Sequence, residues 1–336
     1  MQDDDATQHP YEQCQEYPVP DATPLSHPLP LPDATPLPHA NPRPRRSVLY
    51  MPGANERALE KAKSLPADAL ILDLEDAVAP DAKAAARERV AAAAASRGYG
   101  HREVTIRVNG PGTPWHADDL RAAAEAGPDA VVVPKVDSAE TVRAVERALE
   151  AAGAPDRTAV WAMLETPRAL LDARTVAAAG ERLTVLVLGT NDLAKELHAE
   201  HVPGRAPLLT SLSLALLAAR DTGRAILDGV YNDVRDLEGF EAECVQGRQF
   251  GFDGKTLIHP SQIEPCNRVF APSDAQVGHA RRTIAAFEEA ARDGRGVATV
   301  DGRMIENLHV EEARRILAAT AAITARHSPR PSAPGL

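Results

Sequence analysis

The sequence predicts a TIM-type (β/α)8 barrel, and three observations carry that expectation. From Arg46 onward, short apolar, β-branched runs alternate with Ala- and Glu/Arg-rich stretches of helical length. The runs are continuously apolar rather than alternating, as parallel strands buried on both faces are. Eight such units fill about 280 residues, the size of one eight-unit barrel. A doubly wound open sheet would need a different signature. No Gly-x-Gly-x-x-Gly follows the first run, and no Walker-type phosphate loop appears anywhere.

Taken in order, residues 1–45 hold 11 of the 28 prolines and an imperfect repeat, Pro20-Asp-Ala-Thr-Pro-Leu25 and Pro32-Asp-Ala-Thr-Pro-Leu37. Such a segment sustains neither a helix nor a ladder and buries little. It reads as a disordered, polyproline-like tail. The barrel then spans 46–270, with strands expected at 47–51, 69–74, 103–108, 130–134, 159–164, 184–188, 224–229 and 252–258. Helices are expected at 56–64, 82–95, 117–126, 139–152, 168–179 and 208–220. Residues 271–325 read as a C-terminal helical extension or lid, and 326–336 as a loose tail.

Composition narrows the function. The chain is 44% hydrophobic and 25% charged, an ordinary globular balance. Its net charge of −11, without a basic run to offset it, argues against a nucleic-acid partner. Cys14, Cys244 and Cys266 are far apart and lack CxxC spacing, which suits a reducing compartment and no zinc site. No apolar run reaches the roughly 18 residues of a membrane span. The acidic start, Met1-Gln2-Asp3-Asp4-Asp5, suits neither a secretory signal nor a transit peptide, so the expected setting is cytoplasmic.

A barrel of this kind gathers its chemistry at the C-terminal strand ends. Those ends read Tyr50-Met-Pro-Gly53, Asp73-Leu-Glu75-Asp76, Arg107-Val-Asn109, Pro134-Lys135, Glu165-Thr166, Asp192, Asp228-Gly-Val-Tyr231 and Lys255 to His259. Nearly every strand delivers a polar group to one rim. Glu165 and Asp192, at the exits of successive strands, are placed to hold a hard divalent cation such as Mg²⁺, with waters and substrate oxygens completing the octahedron. The competing reading makes Glu165 a helix cap and Asp192 a turn residue. Two of Asp73, Glu75 and Asp76 should point into the mouth, unless Asp76 or Asp81 caps the following helix. Arg107 suits a carboxylate or a developing enolate oxygen, or else a structural ion pair with those acids. Lys135 stands among so many carboxylates that an ion pair fits better than a Schiff base. His259 reads as a structural hydrogen-bonding residue. A metal facing an arginine suits carbon–carbon cleavage beside a carbonyl, and also enolisation or phosphoryl chemistry.

These stretches together resemble the citrate lyase β-subunit-like CoA-ester lyases of the HpcH/HpaI aldolase superfamily. The resemblance is carried by Arg46-Ser-Val-Leu-Tyr-Met-Pro-Gly53, Leu72-Asp-Leu-Glu-Asp-Ala-Val78, Ile106-Arg-Val-Asn109, Pro134-Lys135, Leu164-Glu-Thr166, Gly189-Thr-Asn-Asp-Leu193 and Gly251-Phe-Asp-Gly-Lys-Thr-Leu-Ile-His-Pro260. It implies a Mg²⁺-dependent barrel, working as a homotrimer or hexamer on a CoA thioester and a small 2-oxo acid. Glu165 and Asp192 match the family's metal ligands. Arg107 matches the substrate-contacting arginine, and Glu75 and Asp76 match acids beside the metal waters. Tyr50, Arg57 and Lys61 fall where relatives grip the CoA nucleotide, the last two being four apart on one helix face. Glu306, in Gly302-Arg-Met-Ile-Glu-Asn-Leu-His309, stands where several lyases carry a lid aspartate that serves a neighbouring subunit.

The reaction implied is malyl-CoA- or citramalyl-CoA-type cleavage, giving acetyl-CoA or a homologue and a 2-oxo acid. Glu75 and Glu306 are the candidate bases. A CoA-independent metal-dependent 2-oxo acid aldolase is the first alternative, and a citrate lyase β-type subunit of a larger complex is the second.

Overall fold

The computed structural model describes residues 43–327, so the proline-rich tail expected for 1–45 and the loose tail expected for 326–336 lie almost wholly outside the described residues. Eight parallel strands close a barrel: β1 (Ser47–Pro52), β2 (Ala69–Asp73), β3 (Glu103–Arg107), β4 (Ala130–Val133), β5 (Ala159–Leu164), β6 (Leu183–Leu188), β7 (Ala225–Asp228) and β8 (Gly254–Leu257). Pairing of Val48 with Thr256 closes β1 on β8. Helices follow the strands and cover the outer face, several with side-chain caps on their first turn. Asn55, Ser138, Thr166 and Asp236 each accept a backbone N–H there. No helix among the described residues is long and apolar enough to cross a membrane.

The continuous apolar runs are divided by the two-residue strand period. One set of side chains fills the barrel: Val48, Ala69, Ile71, Ala130, Val132, Trp161, Met163, Val185, Val187 and Leu227. The other set packs against the helices in the larger outer core, including Leu49, Leu70, Leu72, Ile106, Val131, Leu164 and Leu186. Continuing the inner phase upward from Ile71, Thr105 and Met163 brings Asp73, Arg107 and Glu165 to the mouth. The β2–β3 register sets Asp73 directly beside Arg107.

The opposite end is closed by ion pairs. Arg45 binds Glu103 through two hydrogen bonds of 2.6 and 2.8 Å, with its guanidinium 5.3 Å from the Trp161 ring centre. Arg46 holds Asp68 in the same forked manner, and Arg326 at the end of the last helix donates to the Asp68 carbonyl at 2.9 Å.

Beyond the barrel, helix Asp274–Arg292 packs against helix Asn307–His327 around a small core of Ala290, Ala298, Val300, Ile305 and Val310. The sequence reading of 271–325 as helical omits a hairpin between them. There β9 (Ala298–Val300) pairs antiparallel with β10 (Arg303–Ile305). Its Asp301-Gly302 turn has φ of 51° and 76°, the positive pair a two-residue I′ turn demands, which is why the chain folds back here.

Candidate active site

A cavity of about 380 Å³ opens at the C-terminal strand ends, walled by Tyr50, Asp73, Asp76, Arg107, Met163, Glu165, Asp192, Thr256 and their neighbours. Its cation is held from below. Arg107 Nε and Nη2 donate to the two oxygens of Asp73 at 2.6 and 2.7 Å, and Nη1 lies 2.8 Å from Glu75 Oε2 and 3.4 Å from Asp76 Oδ2. The Tyr50 ring lies 4.9 Å from the same guanidinium. Burial works against the charge of Arg107, but Asp73, Tyr50 and Glu75 outweigh it and hold it firmly protonated. Of its five N–H groups, two donate to Asp73 and one reaches Asp76 at 3.4 Å, which leaves donors for a substrate oxygen.

Asp73 does more than pair. Its oxygens also accept from the backbone of Glu75 at 2.9 Å and Ala77 at 3.2 Å, shaping the loop that follows β2. Lys83, buried under that loop, donates to the carbonyls of Leu74 and Glu75, each at 2.7 Å. The sequence reading grouped Asp73 with its neighbours and gave it no separate role; its register opposite Arg107 is a tertiary fact.

Glu165 is buried at the end of β5, and its Oε1 accepts the Lys135 backbone N–H at 2.7 Å. Capping of the next helix falls instead to Thr166, whose hydroxyl accepts from Ala169. Asp192 sits in the first turn of helix Thr190–Glu196, one third exposed; among the described residues its side chain makes no hydrogen bond, and its close charged neighbour is Lys135 Nζ at 3.9 Å. Neither acid therefore plays the capping or turn role that competed with ligation. Gly189 leaves room for the Glu165 side chain, because a Cβ there would overlap its carboxylate.

The acids are crowded beyond their cations. Burial raises Glu165 to about 7, reinforced by the negative charges of Glu75 and Asp192. Burial also raises Glu75 to about 7, against the pull of Arg107. Lys135 loses charge stability to burial but regains more from Glu75, Asp192 and Glu165, so its amine stays protonated, as an ion pair requires. Carboxylate oxygens in excess of positive charge are the donor set a hard cation takes. No group of three or more His, Cys, Asp or Glu among the described residues is placed to hold a metal ion. A cation bound by Glu165 and Asp192 would thus draw its other ligands from water and substrate, as Mg²⁺ does.

The remaining candidates separate. Tyr50, Asp76, Arg107, Glu165 and Asp192 wall the cavity, and Glu75 lies behind Arg107. Asp76 is exposed and caps no helix; the turn at Pro80–Ala82 has no side-chain cap. Arg57 and Lys61 are exposed on the first helix, outside the cavity wall and without an ion pair among the described residues. Glu306, between β10 and the last helix, does not wall its own chain's cavity. Asp228 and Lys255, expected on the rim, do not reach it. Asp228 follows inward-facing Leu227, so it points outward against Gly247, and Lys255 joins it there at 3.0 Å. His259 is structural, its Nδ1 bonding the Ser261 side chain at 2.7 Å. Sequence reasoning passed over Asn191, which exchanges two hydrogen bonds with Asn232 of 3.0 and 2.8 Å across the rim; its place beside Asp192 was the available signal.

The family model for HpcH/HpaI aldolase/citrate lyase matches residues 46–260, every barrel strand included. The chain belongs to the HpcH/HpaI aldolase/citrate lyase family. Among members of this family, a (3S)-malyl-CoA thioesterase of Cereibacter sphaeroides is 54% identical over 282 residues, covering 84% of this chain and 96% of the relative. The citrate lyase subunit beta of Escherichia coli is 38% identical over 278 residues, or 81% and 92% of the two chains. The solved CitE of Mycobacterium tuberculosis, in complex with magnesium, acetoacetate and coenzyme A, superposes with a TM-score of 0.68 at 30% identity, covering 82% of this chain and 97% of that one.

Proposed function

We propose that the chain is a Mg²⁺-dependent enzyme of malyl-CoA- or citramalyl-CoA-type 3-hydroxyacyl-CoA esters, cleaving or forming the carbon–carbon bond that joins acetyl-CoA, or a homologue, to a 2-oxo acid. The observation that carries this reading is the meeting of Arg107 with the under-compensated acids Glu165 and Asp192 on one cavity wall. The magnesium and coenzyme A of the CitE complex support the cofactor and the CoA half, and a complex of the same protein with magnesium and pyruvate supports the 2-oxo acid half.

Glu165 and Asp192 would hold the Mg²⁺, which would supply Lewis-acid polarisation to oxygens of the hydroxy acid. In the cleavage direction a base takes the proton of the 3-hydroxyl, the C2–C3 bond breaks, and the electron pair remains on the thioester enolate. A proton returned to C2 gives the acyl-CoA product. Arg107, fixed by Asp73, has N–H donors to stabilise the enolate oxygen without reorganising. Glu75, near 7, is matched to proton transfer at neutral pH. Glu306 is the other candidate base, delivered from a neighbouring subunit. Because Glu306 does not wall its own chain's cavity, that role would require a homotrimer or hexamer, a state that light scattering reads directly. Arg57 and Lys61, exposed four residues apart, would meet CoA phosphates, and the setting would be cytoplasmic.

A second reading, hydrolysis of the thioester to a free acid and coenzyme A, is favoured by the 54% identical thioesterase. Incubation with malyl-, citramalyl-, methylmalyl- and citryl-CoA, with and without EDTA, separates these outcomes. A 2-oxo acid with acetyl- or propionyl-CoA supports cleavage, whereas a free thiol with the hydroxy acid supports hydrolysis. Aldol cleavage without any CoA requirement would favour the CoA-independent aldolase. Inactivity of the isolated chain on every ester would favour a citrate lyase β-type subunit.

A further inference from the structure

Lys135 stands where glycine would be more comfortable. Its φ of 52° lies in the left-handed region, which is strained for a side-chain-bearing residue. The conformation persists because the Lys135 N–H is committed to Glu165 Oε1 at 2.7 Å. The same turn aims the side chain back over the acids, with Nζ 3.6 Å from Glu75 Oε1 and 3.9 Å from Asp192 Oδ1. The ammonium therefore sits within ion-pair reach of two acids while its backbone holds a third. Among the described residues, no other cation lies within that reach of Asp192. The side chain is half exposed, on a flexible four-carbon stem, so it can leave toward solvent without unpacking the barrel.

We propose that Lys135 is a tethered counter-cation of the carboxylate cluster, its ammonium lying between Glu75 and Asp192 and competing there with a divalent ion held by Glu165 and Asp192. It is a positioning residue with two separate tasks. Its N–H orients Glu165, and its ammonium offsets the repulsion among the acids. The second task opposes metal binding, because the incoming ion must displace a charge of the same sign. Lys135 thereby lowers the affinity of the site and keeps the metal exchangeable.

This inference rests on the metal reading of Glu165 and Asp192, and calorimetric titration of the full chain with MgCl₂ at pH 8.5 tests the two separately. The N–H survives every side-chain substitution. Lys135→Gln and Lys135→Met should each bind Mg²⁺ about tenfold more tightly than the wild type, while Lys135→Arg stays within about threefold of it. Thermal melts establish that the variants are folded. Unchanged or weaker binding in folded Lys135→Gln and Lys135→Met overturns the counter-cation role and leaves the metal site standing. Absence of Mg²⁺ binding in the wild type overturns the metal reading and this role with it. Should Lys135→Gln and Lys135→Met both fail to fold, the ammonium is structural and the exchange role is likewise overturned.

Discussion

Two buried charge clusters stand a few strands apart in this barrel, built from the same residue types, and they behave oppositely. Behind β7 and β8, Asp228 accepts from Arg205 at 2.7 Å and from Lys255 at 3.0 Å, and Lys255 reaches Glu243 at 2.7 Å. Two acids meet two cations there. Burial opposes every charge, yet Lys255 and Arg205 hold Asp228 below the usual carboxylate range, and Asp228 and Glu243 raise Lys255. At the mouth, Asp73, Glu75, Asp76, Glu165 and Asp192 face Arg107 and Lys135. Burial wins there, and Glu75 and Glu165 rise to about 7. Charge balance, more than burial, separates the cluster that holds the fold together from the one suited to bind a cation and move protons.

Mutation should split the pair cleanly. Asp192→Asn is expected to cut Mg²⁺-dependent turnover by about 10⁴-fold, equivalent to roughly 5.5 kcal/mol of barrier, while a partly exposed side chain of unchanged shape keeps the denaturation midpoint near wild type. Loss of fold in this variant would return Asp192 to a structural role. Lys255→Met should show the reverse. It leaves Asp228 and Glu243 to share Arg205 as their one cation in a buried cluster and should cost about 3–5 kcal/mol in urea unfolding. Wild-type stability in Lys255→Met would show that the balanced cluster contributes little.

The acids near 7 give the comparison a pH signature. In the metal-free fold Glu75 and Glu165 keep their protons up to about 7, against an ordinary value of 4.5. Their contribution to stability is therefore present at low pH and is lost as pH rises through that range. A divalent ion held there would take the ionised forms, so Mg²⁺ should raise Tm more at pH 8 than at pH 6; an equal rise at both would argue that these acids do not meet the ion. The smallest effect belongs to the first helix. Arg57→Ala with Lys61→Ala should raise KM for the CoA ester by roughly 3–30-fold, with kcat unchanged, if each phosphate contact contributes about 1 kcal/mol.

Much of this was legible in the residues. Continuous apolar runs specify buried parallel strands; Arg107 and Glu165 stand at the end of such a run and Asp192 four residues past one. What strand ends alone do not specify is phase. A shift of one residue turns a side chain from the mouth to the helix layer, which is how Asp228 and Lys255 left the rim and Asp73 came to clamp Arg107. The turn at Asp301-Gly302 was readable, but a three-residue strand on either side carries too little pattern to announce a hairpin. A role for Glu306 in a neighbouring chain's site would depend on how chains assemble, which no local pattern encodes.

The most direct measurement is a crystal structure of the full chain grown with MnCl₂ in place of Mg²⁺, with anomalous data collected at the manganese edge. The account predicts one strong anomalous peak within about 2.2 Å of a carboxylate oxygen of both Glu165 and Asp192, and none at the Asp228–Glu243 cluster. An ordered mouth without that peak, or a peak at the balanced cluster instead, would contradict it.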